Sequence, residues 1–313
     1  MMYNSSHVKV FFLSGLNGTM SNRVVLFSVM LLCYCFIVLV NVVLIVTIIL
    51  VKNMHEPMYI LLCSLCMNGL YGTTGLYPKI LLDLLSPVHV ISYSGCLVQA
   101  FVIHSFVSSD LSILAVMSYD RYVAICRPLV YHSVMSKKRL LMLVSFSWFT
   151  TFCISGTNTI LTSILQLCSP YIDRLYCINW IIVKLACFPA DTIFNNIVAY
   201  ITNIFFVSHG VLIVWSYLYV IKICVNSLEN RAKFMQTCVP HLTSLLIFLG
   251  TILLDVVHIR YGSNLPQAFN NFIAIEYLLI PPIINPLIYG FKLSNIRKRI
   301  LDVMTFKITL LRT

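Results

Sequence analysis

Charged residues are scarce in this sequence of 313 residues. Asp, Glu, Lys and Arg together make up 10% of it, whereas soluble globular domains average about 25%. Acidic residues are the rarest of these, with 10 Asp and Glu against 21 Lys and Arg, and 59% of the residues are hydrophobic. This composition excludes an ordinary soluble domain and predicts a chain built into a lipid bilayer.

The sequence also lacks the common catalytic signatures. It contains no Gly-x-Ser-x-Gly, no His-Glu-x-x-His and no glycine-rich phosphate-binding loop. We therefore predict that the protein is not an enzyme and needs no cofactor. Its function must then be carried by the few polar groups that face the protein interior.

Long apolar segments dominate what is present. Each exceeds about 20 residues, the length that a helix needs to cross a ~30 Å hydrocarbon layer. The predicted fold is an all-α integral membrane protein, a bundle of seven transmembrane helices over 24–290, between an extracellular segment, 1–23, and a cytoplasmic tail, 291–313. The seven segments are 24–51, 57–85, 96–122, 139–165, 194–222, 237–259 and 267–290.

The orientation follows from Lys and Arg, which collect in the connections on one side of the predicted bundle. That side should be cytoplasmic, which places the N-terminus outside and makes the basic stretch 290–300 a short amphipathic helix on the inner surface. Two glycosylation sequons, at Asn4 and Asn17, fall on the outer side. Charge sorted in this way indicates contact with anionic lipid rather than nucleic acid.

Two polar residues interrupt the apolar segments where lipid contact would be costly. Asp110 lies in the middle of the third segment, where a carboxylate costs ~2.5–3.5 kcal/mol to insert. It shares a helical face with Leu114, Met117 and Arg121, so we expect it to face a polar network in the interior. Asn41 is the strongly polar residue of the first segment and should form an interhelical hydrogen bond.

A small-molecule pocket is predicted between the third and sixth segments. Arg260 would bind the carboxylate of a small acidic or amino-acid-like ligand, while His104 and Ser108 orient the rest. The alternatives are that Arg260 reaches lipid headgroups or a nearby acid, and that His104 is an interior residue with a protein partner. The proposed lining residues are Ile103, His104, Val107, Ser108, Ile252, Val256 and Arg260.

Four cysteines fall on the predicted outer side: Cys96, Cys168, Cys177 and Cys187. An even number in an oxidising compartment predicts disulfide bonds. Four cysteines allow three pairings, and their spacing does not choose among them.

Several motifs together resemble those of the odorant receptors, a family of rhodopsin-like G-protein-coupled receptors. The string Met-Ser-Tyr-Asp-Arg-Tyr-Val-Ala-Ile-Cys-Arg-Pro at 117–128 is similar to that family's most specific motif. Residues 233–242 resemble the signature that opens its sixth segment, and Pro57-Met58-Tyr59 opens the second. The resemblance covers 11–300 and implies an odorant receptor in the plasma membrane that activates a heterotrimeric G protein of the stimulatory type.

The resemblance also implies roles for particular residues. Arg121 would be held by polar or acidic partners at rest and released to meet the G protein. The implied coupling residues are Asp120, Arg121, Tyr122, Tyr217, Asn285, Pro286 and Tyr289. The implied disulfide pairs are Cys96 with Cys177 and Cys168 with Cys187.

Gly69 stands where most of these receptors carry an acid. Asp110 alone would then carry the local negative charge. The other functions considered are a non-odorant receptor for a lipid or peptide, and a membrane transporter. A transporter should show repeated halves, and the sequence has no such symmetry.

Overall fold

The computed structural model describes residues 8–14, 20–224, 238–239, 242–254 and 267–292. Seven of its helices coincide with the seven predicted segments, which confirms the predicted helical bundle. The helices are α1 (Met20–Leu50), α2 (Pro57–Leu85), α3 (Tyr93–Cys126), α4 (Tyr131–Val134), α5 (Lys137–Ser163), α6 (Asn179–Lys184), α7 (Ile193–Cys224), α8 (Leu242–Leu254) and α9 (Gln267–Lys292).

Four stretches in the described ranges are both long and apolar enough to cross a membrane: Asn22–Leu50, Tyr93–Cys126, Lys137–Ser163 and Pro189–Ile223. They correspond to α1, α3, α5 and α7. Helix α2 is equally long, but polar residues are spread along it, among them Asn68, Thr73, Lys79 and Asp83. Helix α9 contains Pro281, Pro282 and Pro286.

Apolar side chains lie on the outer surface of the bundle, as expected where lipid surrounds the protein. On α5, Phe149 and Ile160 are 69% and 66% exposed. The buried side of the same helix is mostly hydroxyl and amide groups. Buried hydrophobic residues from α2, α3 and α7 form the core towards the end that carries Tyr122.

A side chain of α1 replaces a backbone hydrogen bond that proline removes from α9. Pro286 has no N–H, so it cannot donate to the carbonyl of Pro282 one turn earlier. The Asn41 side chain of α1 donates to that carbonyl at 2.8 Å, and also to the carbonyl of Ile37. Also on α9, the side-chain carbonyl oxygen of Asn285 accepts a hydrogen bond from the Ser244 hydroxyl of α8.

A three-stranded sheet, absent from the all-α prediction, covers one end of the bundle. Its strands are β1 (Val10–Leu13), β2 (Val90–Ser92) and β3 (Tyr171–Ile172), in the order β2-β1-β3. β1 pairs antiparallel with β2 and parallel with β3. The side chain of Phe11 is fully buried beneath it.

The same end contains both disulfide bonds that the resemblance implied. One joins Cys96, at the start of α3, to Cys177, and the other joins Cys168 to Cys187. We call this end of the bundle the outer end, and the opposite end, which carries Asp120 and Arg121, the inner end. The first bond holds the segment before α6 against α3 and so places α6 beside the bundle.

Candidate functional site

The outer end of α3 forms one wall of a cavity. Ile103, His104 and Val107 lie on one helical face and line it. The His104 Nδ1 atom lies 2.8 Å from the Ser155 hydroxyl of α5, so the ring has a protein partner on one side. Ser108 does not line the cavity, because its hydroxyl is buried and donates to the backbone carbonyl of His104 at 2.7 Å.

The opposing wall comes from α5. Five buried polar residues repeat along this helix at spacings of three or four, and we call them the polar face of α5: Ser147, Thr151, Ser155, Asn158 and Thr162. Such a spacing places all of them on one side of the helix. Only Asn158 of this set lines the cavity.

Helix α6 and the start of α7 close the cavity. The Thr162 hydroxyl donates to Asn179 Oδ1 of α6 at 2.7 Å and accepts from Asn195 Nδ2 of α7 at 2.9 Å. Thr162 of α5 is therefore hydrogen-bonded to both α6 and α7. Trp180 and Val183 of α6 line the cavity beside them.

The cavity has a volume of about 330 Å³, at the small end of the range for ligand sites. Among the residues that the structure describes, no Asp, Glu, Lys or Arg lines it. Amides, one threonine, one imidazole and apolar groups form its surface instead. The further lining residues are Ala100, Ile178, Asn196, Ala199, Thr202, Asn203 and Phe206.

Helix α8 contributes Ile252, as the sequence predicted. Val256 and Arg260, predicted to follow it on the same face, lie outside the described residues. Asn4 and Asn17, the predicted glycosylation sites, also lie outside them. The structure thus places Ile103, His104, Val107 and Ile252 around one cavity.

Sequence reasoning missed most of the polar lining, including Asn158, Asn179 and Asn195. The signal that could have identified Asn158 is the repeat of hydroxyl and amide residues along 147–162, which marks the buried side of a helix surrounded by lipid.

At the inner end, Arg121 is paired with its own neighbour. Its Nε donates to Asp120 Oδ2 at 2.9 Å, and a second guanidinium nitrogen contacts the same oxygen. Tyr131 of α4 donates to the other carboxylate oxygen at 2.8 Å. Burial and the nearby Asp120 carboxylate raise the pKa of Tyr131, which keeps the phenol protonated as a donor.

Aromatic side chains surround the next residue, Tyr122. Its ring centroid lies 5.0 Å from that of Trp215 and 6.0 Å from that of Tyr219, both on α7. Arg127 lies over the same ring at 5.9 Å. Tyr217 of α7 is buried in the core at this end. These contacts fix the inner end of α3 against α7.

Helix α9 reaches the same end. Asn285 is bonded to Ser244, and Pro286 is buried. The backbone of Tyr289 is helical, and its side chain lies outside the described part.

Asp110 lies between the two ends of α3, in a polar interior. Asn68 of α2 donates to its Oδ1 at 2.6 Å and to the carbonyl of Phe106 at 2.8 Å. Asp110 is 2% exposed. Within the described ranges, no cluster of three or more His, Cys, Asp or Glu side chains could hold a metal ion.

Comparison with known proteins assigns the family. A model of the olfactory receptor family matches residues 29–307. The chain is 33% identical over 305 residues to Olfactory receptor 5AP2 of Mus musculus, covering 96% of this chain and 95% of the relative. It is 34% identical over 308 residues to Olfactory receptor 10G4 of Homo sapiens, covering 96% and 97%.

Similarity over nearly the full length of both chains agrees with the seven-helix bundle and with the motif at 117–128. The chain therefore belongs to the olfactory receptor family, whose members are multi-pass G-protein-coupled receptors of the plasma membrane and not enzymes.

Proposed function

We propose that this receptor binds a small odorant in the cavity at its outer end and activates a stimulatory heterotrimeric G protein at its inner end. The observation that carries the proposal is that α3 belongs to both sites. His104 lines the cavity, and Arg121 lies 17 residues later on the same helix, about 25 Å away at the helical rise of ~1.5 Å per residue.

The proposed ligand is a small carboxylate or an amino-acid-like molecule. Ile252 lines the cavity, and Val256 and Arg260 follow it at intervals of four residues, the spacing of one helical face. A guanidinium there would bind the acid through charge-assisted hydrogen bonds, worth roughly 1.5–3 kcal/mol. His104 would contact the remainder of the ligand.

Activation is proposed to release Arg121 from Asp120. Freed from this ion pair, Arg121 would meet the G protein, with Tyr217 and Tyr289 as partners and Asn285-Pro286 as the bend in α9. The ligand biases this two-state bundle only by its difference in affinity for the two states. A change from 1:99 to 99:1 needs about 5.5 kcal/mol.

The proposed topology assigns 1–23 to the outside, 24–290 to the bundle and 291–313 to the cytoplasm. Both disulfide bonds lie at the outer end, which suits an oxidising compartment. Asn4 and Asn17 are the proposed glycosylation sites.

The test is a cyclic-AMP reporter assay in cells that express the receptor, with panels of carboxylates and amino acids. Arg260→Ala should reduce the response to acids at least tenfold in potency, because the carboxylate loses its counter-charge, with surface expression unchanged. Lys9→Ala is the matched control, since Lys9 is an exposed cation at the outer end.

An unchanged dose–response curve for Arg260→Ala would remove this residue from the site. Ion flux without any reporter response would overturn the receptor proposal and favour a transporter.

A further inference from the structure

Four of the five residues on the polar face of α5 bond to another helix. Ser112 of α3 donates to Ser147 at 2.9 Å, and Ser109 of α3 lies 2.7 Å from Thr151. The Ser155 hydroxyl contacts His104, and Thr162 bonds to Asn179 and Asn195. Each of these hydroxyls is therefore satisfied across a helix interface.

Asn158 is the exception. Its side chain is 4% exposed and lines the cavity. Among the described residues, its amide has no hydrogen-bond partner, and only its backbone carbonyl accepts a bond, from Thr162. A buried amide has two donor hydrogens and an acceptor oxygen to satisfy, and in native proteins such groups are nearly always paired.

Its neighbours hold Asn158 at the cavity wall. Ser155 lies three residues before it and Thr162 four residues after it, so all three share one side of α5. Both neighbours are fixed by bonds to α3, α6 and α7. These bonds fix the position of Asn158 at the cavity wall, as expected for a residue that recognises a ligand.

The cavity chemistry restricts what can pair with this amide. No charged side chain lines the cavity among the described residues. A carboxylate only accepts hydrogen bonds, so it could pair with the Nδ2 donor of Asn158 but would leave Oδ1 without a donor. An uncharged group that both donates and accepts, such as a hydroxyl or a carboxamide, satisfies both ends of the amide.

We propose that Asn158 determines ligand specificity by binding an uncharged donor–acceptor group, a hydroxyl or carboxamide, of the odorant. The proposal deepens the function proposed above and rests on it. It concerns a contact separate from that of Arg260, so a ligand with an acid at one end and a hydroxyl or amide elsewhere can use both.

The first test needs no ligand. In purified receptor, Asn158→Leu removes an amide without a protein partner and keeps the branching of the side chain, with the cavity beside it to take the larger methyl groups. The melting temperature should therefore be unchanged or higher. Thr157→Val, on the exposed side of the same helix, is the matched control. A clear fall in melting temperature for Asn158→Leu alone would show a structural role and overturn the proposal.

The second test uses octanol, octanamide, octyl methyl ether and octanoic acid in the cyclic-AMP assay and in ligand-induced thermal stabilisation of the purified receptor. Octanol or octanamide should act at least tenfold more strongly than the ether, a difference of about 1.4 kcal/mol. Asn158→Leu should abolish that preference, whereas Thr157→Val should retain it.

The outcomes separate the two proposals. If the acid binds while neither the alcohol nor the amide does, or if Asn158→Leu keeps the preference, the Asn158 proposal fails and the receptor function stands. If wild-type receptor shows neither stabilisation nor response with any of these probes or with the acid panels, the proposed function fails and the Asn158 proposal fails with it.

Discussion

At the scale of single residues, the receptor depends on polar groups that find partners inside the bilayer. Asp110 is the clearest case, because a carboxylate in the middle of a membrane-spanning helix is costly. Asn68 supplies its hydrogen-bond donor from α2. The sequence predicted an interior network around Asp110 but not its partner, because α2 and α3 are brought together only by the fold.

We predict that Asn68→Leu lowers the stability of the receptor by about 1–3 kcal/mol, because the Asp110 carboxylate loses its donor. The melting temperature in detergent should fall by a few degrees. The double variant Asn68→Leu with Asp110→Leu should recover most of this loss, since no carboxylate is then left without a donor. A single Asn68→Leu variant as stable as wild type would contradict this account.

At the scale of elements, close packing between α2 and α3 depends on a small residue. A Cβ atom added at Gly72 would lie 2.4 Å from the ring of Phe106, which is fully buried on α3. The ring cannot move away without displacing its neighbours. At Gly210, in α7, an added Cβ would meet nothing within 4 Å.

Gly72→Ala should therefore destabilise the receptor by about 1–3 kcal/mol through overpacking. Gly210→Ala is the matched control and should be neutral or stabilising, because alanine favours the helix by up to ~1 kcal/mol. Thermal unfolding of the two purified variants distinguishes them. Equal effects of both substitutions would mean that the contact between Gly72 and Phe106 does not constrain the helices.

The helices were predictable because a membrane span leaves a strong local signal. Helix α2 occupies the predicted range, 57–85, since Pro57 suits a helix start. Helix α3 begins earlier than predicted because Ser92 caps it, accepting from the Gly95 amide. The sheet left no comparable signal, as its strands are short and β1 pairs with segments far along the chain.

Only part of the cavity lining could be predicted from the sequence, and the reason is physical. Ile103, His104, Val107 and Ile252 follow from helical spacing along α3 and α8. Asn158 was missed because apolar spacing identifies only apolar lining residues. On α5 the apolar side is exposed, whereas the buried side that faces the bundle is made of hydroxyls and amides.

At the scale of the whole molecule, α3 connects a small outer cavity to an ion pair at the inner end. At the outer end, His104 is hydrogen-bonded to Ser155 of α5, and at the inner end Arg121 forms an ion pair with Asp120. If the ligand and the G protein favour the same arrangement of the bundle, each must raise the affinity of the receptor for the other by the same factor. Typical coupling free energies of 1–3 kcal/mol correspond to factors of about 5–150.

The most direct test measures ligand affinity in purified receptor with and without a nucleotide-free stimulatory G protein, using the most potent compound from the panels. We predict that the G protein raises the affinity at least fivefold, and that Arg121→Ala abolishes this increase while leaving the affinity of the receptor alone unchanged. An affinity that is the same with and without the G protein would contradict the coupling of the two ends.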